Sequence, residues 1–77
     1  GMVEVTVPED LWDDDKQAVI TSWSYDDGAT VQEGESIVEI MVEKAQFEIA
    51  APATGVLRIR EPEDALVSRG AVIATIE

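Results

Sequence analysis

Residues 37–51 read IVEIMVEKAQFEIAA, two apolar runs separated by the charged pair Glu43-Lys44. Both runs are rich in β-branched or aromatic residues, which is typical of strands. In the second run the apolar side chains from Phe47 to Ala51 occupy alternate positions and therefore share one face. The stretch predicts a β-hairpin with Lys44 at its tip, and a tip of two to four residues points into water.

The sequence around this hairpin repeats itself at an offset of 36 residues, because residues 20–41 align without a gap on residues 56–77. The identical pairs are Ala29/Ala65, Val31/Val67, Gly34/Gly70, Ile37/Ile73 and Ile40/Ile76, and Ile20/Val56 and Asp27/Glu63 are conservative matches. One pair is a turn glycine, which adopts a positive φ without a Cβ clash. Two similar halves predict two similar β-units packed about a pseudo-twofold axis.

The remaining sequence is divided into further short strands. Strand-like runs cover residues 3–7, 18–25, 56–60 and 72–76, and Pro8, Asp26-Asp27-Gly28 and Pro52 to Gly55 interrupt them. No segment has the pattern of a helix, so the chain is predicted to be an all-β sandwich or barrel. The expected core includes Trp23, Phe47, Ile49, Leu57 and Ile59. The expected surface includes an acidic loop from Glu9 to Gln17 and three arginines, Arg58, Arg60 and Arg69, paired with acids.

Size and composition exclude several classes of function. A chain of 77 residues predicts one domain with little material to enclose a pocket of roughly 300–1,000 Å³. The absence of cysteine and histidine excludes disulfides, Cys/His metal sites and Cys- or His-based nucleophilic catalysis. The net charge of −12 disfavours nucleic acid and anionic membranes as partners. No stretch approaches the ~20 apolar residues of a membrane helix, and neither a metal site nor a catalytic residue is predicted.

Lys44 is a candidate attachment site, not a candidate catalyst. An exposed lysine amine is mostly protonated at neutral pH and is then a poor nucleophile. Position and charge alone favour an ordinary solubilising lysine over a site that another enzyme modifies.

The residues around Lys44 resemble the lipoyl-attachment signature of the biotinyl/lipoyl domain family. The matching segments are Glu39-Ile40-Met41-Val42-Glu43-Lys44-Ala45, then Glu48-Ile49-Ala50-Ala51-Pro52, with Gly28 and Gly55 where the family usually carries glycines. Val7-Pro8, Val31 with Gly34, and Ile73-Ala74-Thr75-Ile76 extend the resemblance over essentially the whole chain. The departures are Glu43, where aspartate is usual, and Val42, where a small polar residue is common.

The resemblance implies a flattened β-barrel or sandwich of two four-stranded antiparallel sheets with pseudo-twofold symmetry. It implies that a lipoate ligase or lipoyltransferase joins lipoic acid to Lys44, with Glu43, Ala45, Gly28 and Gly55 as recognition positions. The lipoyl arm would then swing between a thiamine-diphosphate 2-oxo acid dehydrogenase, an acyltransferase and dihydrolipoamide dehydrogenase, while the chain itself stays non-catalytic. The implied location is the bacterial cytoplasm or, in a eukaryote, the mitochondrial matrix.

Two alternatives remain open at this level. A biotin carrier is disfavoured because biotin ligases select a lysine flanked by methionines, whereas Glu43 and Ala45 flank Lys44. An unmodified lipoyl-like scaffold would leave Lys44 without a role. Residues 2–77 are expected to form a single carrier domain, either free-standing or excised from a larger acyltransferase, and Gly1 is expected to be a tag remnant.

Overall fold

The computed structural model describes residues 1–77 and contains eight strands in two antiparallel sheets. The strands are β1 (Val3–Thr6), β2 (Ala18–Trp23), β3 (Thr30–Val31), β4 (Ser36–Val42), β5 (Ala45–Ala50), β6 (Gly55–Ile59), β7 (Leu66–Val67) and β8 (Val72–Ile76). One sheet has the order β1-β8-β6-β3 and the other β5-β4-β2-β7. The predicted all-β class is confirmed, and the two sheets form a sandwich without closing into a barrel. None of the elements is a helix that could span a membrane.

The six longer strands lie where the apolar runs predict them. The two shortest strands, β3 and β7, supply the fourth strand of each sheet. A strand of two residues leaves no alternating pattern in the sequence, so the resemblance implied these strands while the residue pattern did not.

The core lies between the sheets and consists of 16 buried apolar residues. Ile20, Ile40 and Leu57 are among those fully buried, because alternate side chains of each strand point inward. Trp23 and Phe47 lie at the margin of this core and are only half-buried. Trp23 keeps its polar edge satisfied there, since its indole N–H donates a hydrogen bond to the Glu61 carbonyl at 2.9 Å.

The backbone confirms the pseudo-twofold repeat. Gly28 and Asp64, 36 residues apart, both have a positive φ, of 91° and 74°. Gly34 and Gly70 follow the same relation, with φ of 90° and 81°. The turn hydrogen bonds also repeat: Ala29 N to Asp26 O matches Ala65 N to Pro62 O, and Glu35 N to Gln32 O matches Ala71 N to Ser68 O.

A β-bulge changes the offset within one strand pair. The register of β2 against β4 shifts between Ile20 and Ser22, which adds one residue to β2 relative to β6. The buried Ile20 therefore corresponds to Leu57, and not to Val56 as the ungapped alignment has it. Equivalent hydrogen bonds support this pairing, from Ile20 N to Ala65 O at 3.0 Å and from Leu57 N to Ala29 O at 2.8 Å.

A second correspondence relates the two strands outside the predicted repeat. β1 corresponds to β5 at an offset of 44, so that Glu4 matches Glu48 and Pro8 matches Pro52. The hydrogen bond from Gly34 N to Ala51 O at 2.9 Å is matched by one from Gly70 N to Val7 O at 2.7 Å. All eight strands thus obey the pseudo-symmetry, which places the β4–β5 hairpin tip and the chain termini at opposite ends of the sandwich.

Candidate functional site

The tip of the β4–β5 hairpin is a two-residue turn. Val42 pairs with Ala45 across the hairpin, which leaves only Glu43 and Lys44 to reverse the chain. Both turn residues are exposed, and so is Ala45. Two paired strands of six or more residues hold the turn, so the Lys44 side chain has a stiff support and open solvent around it.

Glu43 adopts a positive φ of 53°. This left-handed region favours glycine, and it tolerates asparagine and aspartate because their short side chains form local hydrogen bonds. Glutamate gains less from such bonds. The turn geometry thus gives a physical reason for the aspartate that is usual at this position in the resembling family.

The chain has a second lysine, Lys16, and its amine is engaged. Its Nζ lies 3.0 Å from Asp14 Oδ2 and 3.3 Å from Glu43 Oε1. The hydrogen bond to Asp14, followed by the one to Glu43, raises the pKa of Lys16. The pKa of Asp14 is lowered, first by the backbone N–H of Lys16 and then by its side chain. Both lysine–carboxylate ion pairs of the chain belong to Lys16, so Lys44 is the lysine that is free to react.

The acidic loop from Glu9 to Gln17 packs beside this tip. The rings of Trp12 and Phe47 stack with centroids 6.3 Å apart. The Trp12 indole N–H donates to the Lys16 carbonyl at 2.8 Å, which holds the loop in a compact turn. The predicted solvent exposure of its carboxylates is correct, whereas Trp12 covers the end of the core.

Arg69 anchors the same loop through its guanidinium. It donates to the carbonyl oxygens of Glu9 at 3.2 Å and of Trp12 at 3.1 Å. No arginine forms an ion pair with an acid. The expectation that Arg58, Arg60 and Arg69 pair with surface carboxylates is therefore wrong, because backbone carbonyls of a long loop offered Arg69 a fixed partner that sequence could not reveal.

The two glycines singled out with Lys44 lie away from it. Gly28 is in the turn after β2 and donates its N–H to the Leu57 carbonyl at 2.7 Å. Gly55 begins β6, where an added Cβ would fall on the Glu77 carbonyl oxygen and 2.9 Å from Ile76 Cγ2. Both belong to the end of the sandwich opposite Lys44, so the structure gives them a backbone and packing role. Only Glu43 and Ala45 of the predicted recognition positions adjoin the lysine.

No cleft adjoins Lys44. The one cavity is an open groove of about 210 Å³ between the edge strands β1 and β5. Glu4 and Glu48 line it as a symmetric pair, as do Pro8 and Pro52, so the groove lies on the pseudo-twofold axis. It is smaller than the roughly 300–1,000 Å³ of typical ligand pockets. No group of three or more acidic side chains is arranged to hold a metal ion.

Glu39 and Glu43 are carboxylates close together in the sequence, and an enzyme would need such a pair as acid and base, but the structure does not bring them together. Glu39 accepts a hydrogen bond from the Thr21 hydroxyl at 2.8 Å on the outer face of its sheet, whereas Glu43 binds Lys16 at the tip. Neither carboxylate faces an enclosed space. The chemistry available at the tip is that of a free primary amine on a rigid support.

Comparison with known proteins agrees with this geometry. The family Biotin_lipoyl, described as "Biotin-requiring enzyme", matches residues 3–76. The dihydrolipoyllysine-residue acetyltransferase component of the pyruvate dehydrogenase complex of Corynebacterium glutamicum is 38% identical over 73 residues. That alignment covers 94% of this chain and 11% of the relative's length. The solution structure of the lipoyl domain of the 2-oxoglutarate dehydrogenase complex of Azotobacter vinelandii has the same fold. It superposes with a TM-score of 0.73 at 23% identity and covers 95% of each chain.

Proposed function

This chain belongs to the biotin/lipoyl attachment family, and we propose that it is a lipoyl carrier domain whose Lys44 bears the cofactor as an amide. One observation carries the proposal: Lys44 is exposed at a two-residue hairpin tip and is free of the ion pairs that engage Lys16. The relative at 38% identity is named for a dihydrolipoyllysine residue, which favours lipoate over biotin.

The tip fits the attachment of such a group. Amide formation requires the Lys44 amine to lose a proton and to attack an activated lipoyl carbonyl, whose leaving group then departs. The carboxylate of Glu43, next to Lys44 in the turn, is paired with Lys16 Nζ at 3.3 Å, and no cleft encloses the Lys44 amine. The activation of lipoate and the pocket for the reaction therefore belong to another enzyme. A lipoate ligase or lipoyltransferase is the proposed partner for this step.

Once attached, lipoate supplies a dithiolane that accepts electrons and acyl groups. The residues of this chain hold its attachment point at the end of a rigid hairpin and keep the turn uncrowded, since Ala45 follows the lysine. The tether raises the effective concentration of the cofactor at any active site within reach, commonly to millimolar values.

We further propose that the domain serves a 2-oxo acid dehydrogenase complex without being catalytic itself. The proposed partners are a thiamine-diphosphate 2-oxo acid dehydrogenase and dihydrolipoamide dehydrogenase. The net charge of −12 would steer the domain towards basic surfaces on them. Because the 38% relative is bacterial, the bacterial cytoplasm is favoured over the mitochondrial matrix.

Intact-mass spectrometry tests the attachment. The protein is incubated with a lipoate ligase, ATP and lipoate, in parallel with a biotin ligase and biotin. We expect one lipoyl increment on the parent protein and on Lys16→Arg, and none on Lys44→Arg. An increment from biotin ligase alone would assign the domain to biotin. No increment from either enzyme on a folded protein would leave a scaffold role and overturn the proposal.

A further inference from the structure

The outer face of the sheet that carries Lys44 has an exposed apolar row. Leu66 of β7 pairs with Val19 of β2, and Val19 pairs with Met41 of β4, so the three side chains are adjacent across three strands. Leu66 is 65% exposed, and Val19 and Met41 are half-buried. We call Leu66, Val19 and Met41 the apolar row.

The other sheet provides an internal comparison. By the pseudo-symmetry, Thr30 corresponds to Leu66, Val56 to Val19 and Glu77 to Met41. Thr30 pairs with Val56, and Val56 exchanges two backbone hydrogen bonds with Glu77 at 2.8 and 3.0 Å, so the same row exists there. Its two outer positions are polar. The fold therefore does not require an apolar side chain at the positions of Leu66 and Met41.

Carboxylates border the apolar row. Glu39 of β4 faces Glu48 of β5 directly across the hairpin, and Glu39 shares the outer face with Met41. Like charges in directly opposed positions destabilise a sheet. No lysine or arginine lies within ion-pair distance of either glutamate, since both ion pairs of the chain belong to Lys16. The exposed Glu43 lies at the tip beyond Met41.

We propose that the apolar row is the docking surface for the enzyme that attaches lipoate to Lys44, an inference that rests on the proposed function. An enzyme that acylates the Lys44 amine must enclose the hairpin tip. Met41 precedes Lys44 by three residues, or roughly 10 Å along a strand, and each further strand adds about 5 Å. The row is therefore within the footprint of any protein that encloses the tip. Charge complementarity defines the partner as a surface with an apolar centre and a lysine- or arginine-rich rim that neutralises Glu39 and Glu48.

Steady-state lipoylation kinetics of matched variants test this docking surface. Leu66→Thr replaces Leu66 with the residue found at its counterpart, Thr30. Val56→Thr is the control on the opposite sheet. We expect kcat/KM of lipoylation to fall about tenfold in Leu66→Thr, mainly through KM, and to stay within about twofold in Val56→Thr. Thermal unfolding of each variant checks that the fold is retained. Glu39→Gln with Glu48→Gln should lower the salt dependence of kcat/KM.

Two results would overturn the inference. One is a Leu66→Thr variant that is lipoylated with the same kcat/KM as the parent protein and loses activity only in the later reductive acylation. That result would assign the row to the dehydrogenase. The other is concentration-dependent dimerisation of the parent that Leu66→Thr abolishes, which would assign the row to a second copy of the chain. In both cases the lipoyl increment on the parent protein would still stand, whereas its absence would remove the proposed function itself.

Discussion

The two ends of the sandwich are built on the same plan and differ in what they present. At one end β4 turns into β5 through Glu43 and Lys44, and at the other end their counterparts β8 and β1 lie side by side as the chain termini. The strand pairs, the positive-φ turns and the flanking prolines are repeated. The repeated features therefore form the fold, and the features found at one end only are the candidates for function.

The largest difference between the ends is a loop. Between β1 and β2 the chain runs from Val7 to Gln17, whereas the corresponding connection between β5 and β6 is Ala51 to Thr54. The longer loop brings Trp12 onto Phe47. Val3, the counterpart of Phe47, has no such cover and is 39% exposed. The insertion thus closes the end that carries Lys44.

The largest expected effect on stability is at Gly55. Its counterpart Ala18 is fully buried with its Cβ accommodated, whereas a Cβ at Gly55 would fall on the Glu77 backbone. We expect Gly55→Ala to lower the free energy of unfolding by about 2–3 kcal/mol, because β6 and β8 must separate. Urea denaturation measures the free energy of unfolding. The control is Ala18→Gly, which should lower it by about 1 kcal/mol. Equal losses in the two variants would contradict the asymmetry.

Removal of the Trp12 side chain tests the difference that the longer loop makes. We expect Trp12→Ala to lower the free energy of unfolding by about 1–2 kcal/mol, because Phe47 loses its stacking partner and the core margin its cover. Val3→Ala at the opposite end should cost less than about 0.5 kcal/mol, as is usual for exposed positions. Chemical denaturation followed by tryptophan fluorescence measures both, because Trp23 remains in each variant. A Trp12→Ala protein as stable as the parent would show that the loop does not close this end.

Substitutions in the two equivalent turns, at Gly28 and at Asp64, are expected to change the free energy of unfolding by smaller amounts. The two changes should have opposite signs. Both residues have a positive φ, and an added Cβ at Gly28 meets nothing nearer than Arg58 Nη1 at 3.6 Å. Gly28→Ala should therefore destabilise through backbone strain alone, by about 1 kcal/mol. Asp64→Gly should stabilise by about 0.5 kcal/mol or less, because relief of strain is partly offset by chain entropy. Thermal unfolding of both variants decides whether the two turns share one conformation.

The smallest expected effect concerns a hydrogen bond found in one half only. The Tyr25 hydroxyl donates to Glu35 Oε2 at 2.7 Å, and their counterparts are Glu61 and Ala71. This bond, followed by the Gln32 N–H, lowers the pKa of Glu35, and the same bond raises the pKa of Tyr25.

A lowered carboxyl pKa stabilises the fold above the unfolded value, and this stabilisation is lost as pH falls through the folded value. We expect the difference in melting temperature between the parent and Tyr25→Phe to be largest near neutral pH. It should shrink as pH falls below the ordinary glutamate pKa of 4.5. Because the same bond raises the pKa of Tyr25, the difference in melting temperature should also shrink as pH rises through the pKa that Tyr25 has in the folded protein. A difference independent of pH between 7 and 3 would show that the bond does not couple to Glu35 ionisation.

Much of the fold follows from the sequence. The alternation of apolar residues locates the six longer strands, since a sheet buries every second side chain. The 36-residue repeat predicts the pseudo-symmetry, and Lys44 between two apolar runs predicts an exposed hairpin lysine. The bulge in β2 was not predicted, because it needs a one-residue gap that an ungapped comparison lacks. The correspondence of β1 with β5 was not predicted either, because its offset of 44 differs from the 36-residue repeat.

The six longer strands, the turns and the position of the lysine could be derived from the sequence, because each depends on residues close together in the chain. Which lysine is free depends on the tertiary structure, because β2, β3 and β4 separate Lys16 from Glu43 in the sequence. The tertiary structure also decided that Arg69 binds backbone carbonyls, that Gly28 and Gly55 lie far from Lys44, and that Leu66, Val19 and Met41 are neighbours. Each of these depends on how two or three segments that are distant in the sequence pack together, and no single segment reveals the free energy of that packing.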